Sequence, residues 1–209
     1  MPGRVHRVKR DVREFCGYDL LLRLVEASPS LMMKCFVAVL FETGGRVSEV
    51  LSLRKRDFAD RGDYLEVRLP VLKRYVKVDE VPDPGKPSGR RWVTESIRDE
   101  FRTIPILKES PLLPYIEAYL RTLRDDDLLF PFTRQTAFNR LRRIGKQVDG
   151  NLELYPHWFR AQKASQLASE YGFSVYDLKE FFRWTNLSTP EMYASLGAKG
   201  LAMKMRRAA

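Results

Sequence analysis

The stretch LMMKCFVAVLFETGGRVSEV, residues 31–50, sets the centre of the predicted fold. Residues 31–41 are apolar on every side apart from one lysine, which is typical of a helix surrounded by other elements in a core. Gly44 and Gly45 then interrupt the pattern and predict the end of that helix. A further helix is expected to begin near Val47. The sequence therefore predicts a buried helix, a glycine turn and a second helix in direct succession.

Periodicity on either side of this stretch predicts a mainly α protein with a small antiparallel β-sheet, an α+β fold in one domain. Runs of β-forming residues at 64–72 and 101–106 are expected to pair as a hairpin. Between them, prolines, glycines and basic residues predict a long basic loop. Further helices are expected at residues 18–26, 114–123, 133–144, 157–171 and 174–184, with a short one after Thr189 and Pro190.

Composition excludes several classes of protein. Of 209 residues, 44% are hydrophobic and 31% are charged, so the chain can bury a core and is not a disordered or fibrous protein. The longest apolar run, 31–41, is far shorter than the roughly 20 residues that cross a bilayer. The basic N-terminus lacks the apolar segment of a secretory signal. We therefore expect an intracellular protein with no membrane span.

The charge balance indicates a polyanionic partner. Lys and Arg number 37 against 27 Asp and Glu, a net charge of +10, which favours nucleic acid because these cations neutralise phosphates. Solvated helix faces are the alternative source of such a balance. Two cysteines, Cys16 and Cys35, and two histidines, His6 and His157, form no metal-ligand pattern. We expect no structural metal.

Two segments carry basic residues in positions suited to a phosphate. In TGGRVSE, residues 43–49, Arg46 stands at a helix start beside glycines that let backbone approach a ligand. In HWFR, His157 and Arg160 are three residues apart and share one helix face. The alternatives are a glycine C-cap with a surface cation in the first segment, and a helix cap with a salt bridge in the second.

A tyrosine and a lysine complete the candidate chemistry. Tyr193 in STPEMY lies about one turn into a helix that begins near Ser188 or Thr189. An isolated tyrosine there is normally a packing residue. Lys73 lies at the end of the first predicted strand and, taken alone, is one of many lysines.

The order of these segments resembles the catalytic domain of the tyrosine recombinase or phage integrase family. The resemblance rests on TGGRVSEVLSLRKRD (43–57), the strand ending in Lys73, FRTIPI (101–106), LLFPFTR (128–134), PHWFRAQKAS (156–165) and FFRWTNLSTPEMY (181–193). It covers roughly residues 18–197. The family's Arg, Glu, hairpin Lys, His-x-x-Arg, His or Trp, and Tyr positions are matched by Arg46, Glu49, Lys73, His157, Arg160, Trp184 and Tyr193.

This resemblance implies the tyrosine-recombinase catalytic fold and a site-specific recombinase that needs no metal, ATP or other cofactor. Tyr193 would attack a DNA phosphodiester to give a 3′-phosphotyrosyl intermediate and a free 5′-hydroxyl. Cationic donors would stabilise the charge that develops on the phosphorane. The implied roles are phosphate binding by Arg46 and Arg160, protonation of the leaving 5′-oxygen by Lys73, hydrogen bonding or proton acceptance by His157, hydrogen bonding by Trp184, and support by Glu49.

The sequence departs from the family pattern in two places. Phe182, Arg183 and Trp184 stand where Leu-Gly-His is usual, and an indole donates a hydrogen bond but cannot shuttle a proton. The hairpin is also enlarged, which leaves Lys77 and Lys86 as alternatives to Lys73.

The expected organisation is a basic arm at 1–17, the catalytic domain at 18–197 and a tail at 198–209. The resemblance implies double-stranded DNA as partner, self-association on DNA, and a tail helix that docks on a neighbouring protomer; a frayed basic tail is the alternative. Family members usually carry a further N-terminal domain, so the chain is expected to be an excised catalytic part or a minimal member. Phosphate contacts are expected from Arg4, Arg7, Lys9, Arg10, Lys77, Lys86, Arg90, Arg91, Arg140, Arg142 and Arg143.

Two alternative functions remain open at this point. A type IB topoisomerase-like enzyme would use the same chemistry to relax DNA within one site. A catalytically weak DNA-binding module would use the basic residues only to follow the phosphate backbone.

Overall fold

The computed structural model describes residues 14–72, 75–82, 90–96 and 100–194. The elements run α1 (Tyr18–Glu26), α2 (Leu31–Thr43), α3 (Val47–Leu51), a 3-10 turn (Lys55–Asp57), β1 (Phe58–Asp60), β2 (Tyr64–Pro70), β3 (Tyr75–Pro82), β4 (Arg90–Ser96), β5 (Phe101–Leu107), α4 (Leu113–Leu120), α5 (Arg134–Val148), α6 (Pro156–Ser169), α7 (Val175–Phe182) and α8 (Ser188–Ala194). The prediction of a mainly helical chain with a small antiparallel sheet is confirmed.

Helix α2 lies in the middle of the core, as its sequence predicts. The Ser30 hydroxyl caps its start by accepting from the backbone N–H of Met33 at 3.3 Å. From residue 35 to residue 43 every side chain is buried, because α1, α3, α4, α6 and β5 all pack against it. No helix in the described ranges, α2 included, is long and apolar enough to cross a membrane.

Helix α6 is the second central element and packs directly on α2. All of its residues from 158 to 168 are buried. A polar cluster fixes the contact between the two helices: Lys163 Nζ lies 2.9 Å from Glu42 Oε2 and donates to Gln166 Oε1 at 3.1 Å, while the Ser110 hydroxyl donates to Glu42 Oε1 at 2.5 Å. This contact sets α6 against the C-terminal part of α2.

The sheet that covers one side of α2 has the order β1-β2-β5 and is antiparallel. The predicted pairing of the two longer strands is confirmed, with Val67 opposite Ile104 and Leu69 opposite Arg102. Alternate residues of β5 face the core, so Arg102 occupies an inward position. Strand β1 was not predicted, because three residues are too short to show an alternating pattern.

The prediction of a basic loop between these strands is wrong over much of the stretch. Residues Tyr75–Pro82 and Arg90–Ser96 form a second antiparallel pair, β3 and β4. Valines alternate with charged residues in β3, a pattern that favours a strand, whereas the prolines and glycines behind the loop prediction fall mainly between the two strands. Lys77, Arg90 and Arg91 therefore lie on strands, with side chains outside the described part, and Lys86 lies outside the described residues altogether.

The last residues of the predicted N-terminal arm make contact with the core. The Phe15 ring lies 5.8 Å from those of Tyr18 and Phe41, and the backbone N–H of Cys16 donates to Gln162 Oε1 at 2.8 Å. The end of the predicted arm is thus attached to α2 and α6. The remaining arm residues of interest, Arg4, Arg7, Lys9 and Arg10, and the tail 198–209 lie outside the described residues.

Candidate active site

The turn between α2 and α3 depends on its two glycines. Gly44 ends α2 with φ 54°, a left-handed conformation that glycine adopts without strain. A Cβ on Gly44 would lie 2.4 Å from Cε1 of Phe182, and a Cβ on Gly45 would lie 2.7 Å from Cγ2 of Val50. Close packing therefore requires both glycines, and the turn delivers Arg46 to the start of α3.

Glu49 holds Arg46 in place. Its Oε2 accepts from the backbone N–H of Arg46 at 2.8 Å, and its Oε1 accepts from Nη1 of the same arginine at 2.7 Å. The Glu49 side chain is 1% exposed, whereas that of Arg46 is 35% exposed. The carboxylate thus orients a guanidinium that still faces solvent and can bind an anion.

Arg160 of α6 is the centre of the site. Its Nη1 donates to the carbonyl of Gly44 at 2.7 Å and its Nη2 to the carbonyl of Phe182 at 2.8 Å. Burial lowers the pKa of Arg160 to about 9, and the positive charges of Arg102 and Arg46 act in the same direction. Arg160 therefore remains a cation at neutral pH and connects three separate segments of the chain.

Two aromatic rings lie beside this guanidinium, and a third stacks on one of them. The Phe182 and Trp184 rings stack with centroids 4.6 Å apart, and the Trp184 and Tyr193 rings stack at 5.8 Å. The Arg160 Cζ atom lies 4.7 Å from the Phe182 centroid and 5.5 Å from that of Trp184. Tyr193 is 8% exposed. The candidate nucleophile and the central cation therefore share one small region.

The ionisation of Tyr193 and His157 is shifted in opposite directions. Burial raises the pKa of Tyr193 above its usual value near 10, and the charge of Arg160 only partly opposes this. Partial desolvation, together with the charges of Arg160 and Arg46, lowers the pKa of the surface-exposed His157. At neutral pH the phenol keeps its proton and the imidazole is neutral, so His157 is able to accept one.

A second buried arginine, which the sequence interpretation missed, supports this arrangement. Arg102 of β5 is 4% exposed, and its Nη2 donates to the carbonyl of Thr43 at 3.3 Å and lies 3.8 Å from Oε2 of Glu49. Its Nη1 donates to the carbonyl of Phe181. Burial lowers its pKa to about 10, which leaves it charged at neutral pH. The sequence carried one signal for this role: in FRTIPI, Arg102 shares the alternating inward positions with Ile104 and Ile106.

The geometry thus brings together side chains that lie far apart in sequence. A profile of the phage integrase family matches residues 17–199. The chain belongs to the phage integrase family. The resemblance inferred from its sequence motifs is confirmed.

Curated relatives of this phage integrase family member include tyrosine recombinases. Tyrosine recombinase XerA of Pyrococcus furiosus is 27% identical over 198 residues, which cover 89% of this chain and 58% of that protein. A tyrosine recombinase of Thermosipho africanus is 25% identical over 197 residues, with 90% and 59% covered. The chain therefore spans less than two thirds of the length of these relatives.

Solved structures share the integrase fold. A crystal structure of XerA recombinase has a TM-score of 0.66 at 19% identity, covering 99% of this chain and 66% of that one. XerH recombinase bound to its difH substrate has a TM-score of 0.59 at 16% identity, covering 90% and 52%. The catalytic domain of bacteriophage HP1 integrase has a TM-score of 0.54 at 16% identity, covering 92% and 94%. Similar structures thus include a recombinase in complex with its substrate.

The candidate lysine of this integrase-family chain, Lys73, lies outside the described residues. Val71, two positions earlier, lines a cleft of about 850 Å³ together with Arg46 and Trp184. The backbone N–H of Val71 donates to the carbonyl of Glu100 at 2.8 Å, which fixes this end of the strand. The chain therefore passes the cleft immediately before Lys73.

The three candidate DNA-binding arginines of α5 have different surroundings. Arg140 places its guanidinium 4.7 Å from the Phe132 ring centroid and donates to Met33 Sδ at 3.6 Å. Arg143 lines an apolar groove with Met33, while Arg142, two positions from Arg140, faces another side of the helix and is exposed. DNA contact by these residues stays a prediction.

Proposed function

We propose that this chain is the catalytic domain of a site-specific tyrosine recombinase, which cleaves and rejoins DNA strands through a 3′-phosphotyrosyl intermediate. One observation carries the proposal: the buried Arg160 guanidinium lies against the rings of Phe182 and Trp184, with Tyr193 stacked on the far side of Trp184. A DNA-binding module has no need of a tyrosine in this position. Membership of the phage integrase family supports the same function.

The two arginines would bind the non-bridging oxygens of the scissile phosphate. Arg46 is already open to solvent and is oriented by Glu49. Arg160 is 2% exposed, so the stack of Trp184 on Tyr193 must open or slide before a phosphate reaches it. Guanidinium groups suit this task because they present paired N–H donors to two oxygens. Trp184 would add its indole N–H to the same phosphate.

The proton transfers balance without an added co-reactant. Tyr193 Oη attacks the phosphorus, a new O–P bond forms, and the bond to the 5′-oxygen breaks. The phenolic proton passes to His157, whose lowered pKa keeps it neutral and able to accept. Lys73 gives a proton to the leaving 5′-oxygen. Attack by a 5′-hydroxyl reverses these steps and rejoins a strand, so the exchange of one phosphoester for another needs no ATP.

Among the candidate lysines, we propose Lys73 from its position in the sequence. It follows Val71, which lines the cleft, by two residues, and two residues of extended chain span at most about 7 Å. The proposed general acid is therefore two residues along the chain from a residue that lines the same cleft as Arg46. Lys77 lies six residues beyond Val71 on β3, and Lys86 is further still along the chain.

Double-stranded DNA inside the cell is the proposed substrate. The net charge of +10 suits a phosphate backbone. Recombination joins ends from two sites, so we propose that protomers assemble on DNA, with residues 18–197 as the catalytic domain and the tail 198–209 as the docking segment. The predicted contacts of the arm and of Lys77, Lys86, Arg90 and Arg91 would hold the flanking duplex.

Covalent trapping tests the proposal. The chain is incubated with a library of labelled duplexes, each nicked next to the scissile position so that the 5′-hydroxyl fragment diffuses away and the adduct accumulates. We expect a protein–DNA adduct that resists denaturation, persists in excess EDTA and is lost in Tyr193→Phe, while that variant still binds duplex. Binding without an adduct would favour a DNA-binding module. Relaxation of a supercoiled plasmid without exchange between two sites would favour a topoisomerase-like enzyme.

A further inference from the structure

Arg183 has a strained backbone beside the site. Of the non-glycine residues that the structure describes, it is the one with positive φ, at φ 50° and ψ 48°. L-residues with a Cβ adopt this left-handed conformation at a cost, and glycine or asparagine adopts it more readily. A strained residue next to a functional site indicates that its side chain or its turn has a task there.

The turn itself has an evident task that a glycine would serve equally well. It ends α7, so that the carbonyl of Phe182 accepts from Arg160 while Trp184 returns to stack on Tyr193. Neither contact uses the side chain of residue 183. The presence of an arginine at this position therefore requires a separate explanation.

The Arg183 side chain lines the same cleft as Arg46 and Trp184. Its Nη1 donates to the carboxylate of Glu180, whose own side chain is 71% exposed. Its Nε is buried and has no hydrogen-bond partner. Buried donors are normally paired, so this guanidinium has unused hydrogen-bonding capacity. An exposed carboxylate partner is readily exchanged for another anion.

The rest of the cleft wall is polar and carries groups suited to a nucleic-acid backbone. Lys179, Thr185, Asn186 and Thr189 line it as further donors, while its acidic residues are Asp177 and Glu180. Asp177 accepts from the backbone N–H and the hydroxyl of Ser174 and caps α7. Glu180 is the partner that a bound phosphate would replace.

We propose that Arg183 binds a DNA phosphate adjacent to the scissile one, in the cleft next to Arg46. This inference rests on the proposed function, because it takes DNA as the substrate. Phosphate would replace Glu180 as the partner of the guanidinium, and the side chain would turn so that its unpaired Nε also donates. Arg183 is therefore a substrate-binding residue, and the strain of its backbone is the cost of placing a guanidinium at that turn.

Binding of a random-sequence duplex tests the inference, with fluorescence anisotropy at 50–200 mM salt in the Tyr193→Phe background. Arg183→Gly keeps the turn and removes the cation. We expect about tenfold weaker binding and a salt slope smaller by about 0.9, the value of one phosphate contact. Glu180→Gln should act in the opposite direction and tighten binding, because it removes a competing anion.

Thermal denaturation separates this role from a structural one. Relief of strain should raise the Tm of Arg183→Gly by about 2–4 °C, and Arg183→Asn, which also tolerates positive φ, should repeat the binding loss. Arg121→Ala removes a cation that is 79% exposed and lies outside the cleft lining, and should leave the slope unchanged. A more stable Arg183→Gly with parental binding would overturn the inference, as would an equal effect of Arg121→Ala. Failure of the proposed function shows separately, as absence of an adduct with the parent protein.

Discussion

The indole ring of Trp184 lies parallel to the phenol ring of Tyr193, with 10° between their planes and 5.8 Å between their centroids. The other face of the indole stacks on Phe182. The candidate nucleophile is thus held by an aromatic stack whose other two rings lie beside Arg160. This relationship lets the packing role of Trp184 be separated from its hydrogen-bonding role.

Trp184→Phe should keep most of the stack, and Trp184→Ala should remove it. We expect the free energy of unfolding to fall by less than about 1.5 kcal/mol in the Phe variant and by about 2–3 kcal/mol in the Ala variant, since Trp184 is half-buried. Urea denaturation measures both. If the indole N–H binds the phosphate, adduct formation falls about tenfold in the stable Phe variant. Full activity of that variant would assign Trp184 to packing alone.

Gly44→Ala should lower the free energy of unfolding for two reasons, backbone strain and a clash with Phe182. The left-handed φ of 54° costs about 1–2 kcal/mol for alanine, and the new Cβ would lie 2.4 Å from the Phe182 ring. We expect a total loss of about 3 kcal/mol in the free energy of unfolding. Gly62→Ala is the matched control, because Gly62 has φ 84° with nothing within 4 Å of its added Cβ. Equal losses in the two variants would mean that contact with Phe182 is unimportant.

Arg102→Met should disturb the orientation of Arg46 indirectly, through Glu49. The change leaves the carbonyls of Thr43 and Phe181 without a donor and removes a cation 3.8 Å from Glu49. We expect a loss of about 2–4 kcal/mol in the free energy of unfolding, measured in urea.

A double-mutant cycle with Glu49→Gln tests the coupling between these two residues. If Arg102 stabilises the carboxylate that orients Arg46, the two losses should be less than additive by about 1 kcal/mol or more. Adduct formation should fall further than stability explains at a temperature where both variants are folded. Additive losses with normal adduct yield would make Arg102 a purely structural residue.

His157 should titrate below the usual histidine range in the DNA-free protein. Its pKa is lowered by desolvation and by the charges of Arg160 and Arg46, so the NMR midpoint should lie below about 6.5. The unfolded chain then binds the proton more readily than the folded one, and stability should fall as the pH drops through about 6.5 towards the folded-state pKa. Assignment uses His157→Gln. Arg46→Gln should raise the midpoint, and an unmoved midpoint would exclude Arg46 as a cause.

The apolar and glycine patterns predicted the framework of the site well. Helix α2 and the turn at Gly44 follow from local sequence, because a run of apolar residues on all helix faces has no stable place outside a core. The positions of Arg46, Arg160 and Tyr193 on their elements follow from the same helix-start signals. Those signals could not predict that the three residues come together, because this depends on how α6, α7 and α8 pack.

Local sequence patterns could not predict the residues whose roles depend on long-range packing. Arg102 is meaningful only because the register of β5 turns it inward against Glu49, and register is set by pairing with β2. The strain at Arg183 depends on where α7 ends. Strands β3 and β4 were missed because prolines and glycines between them outweighed the alternating valines beside them.

The two hydrogen bonds of Arg160 to backbone carbonyls reach residues 116 and 22 positions away. One of these carbonyls belongs to α7, and Tyr193 follows on α8, the final helix that the structure describes. During synthesis, a chain whose α7 and α8 have not yet left the ribosome lacks the Phe182 carbonyl that accepts from Arg160. It also lacks Tyr193, the candidate nucleophile. A site that needs all three segments is therefore assembled only in molecules that have finished folding, and an incomplete or locally opened chain lacks it.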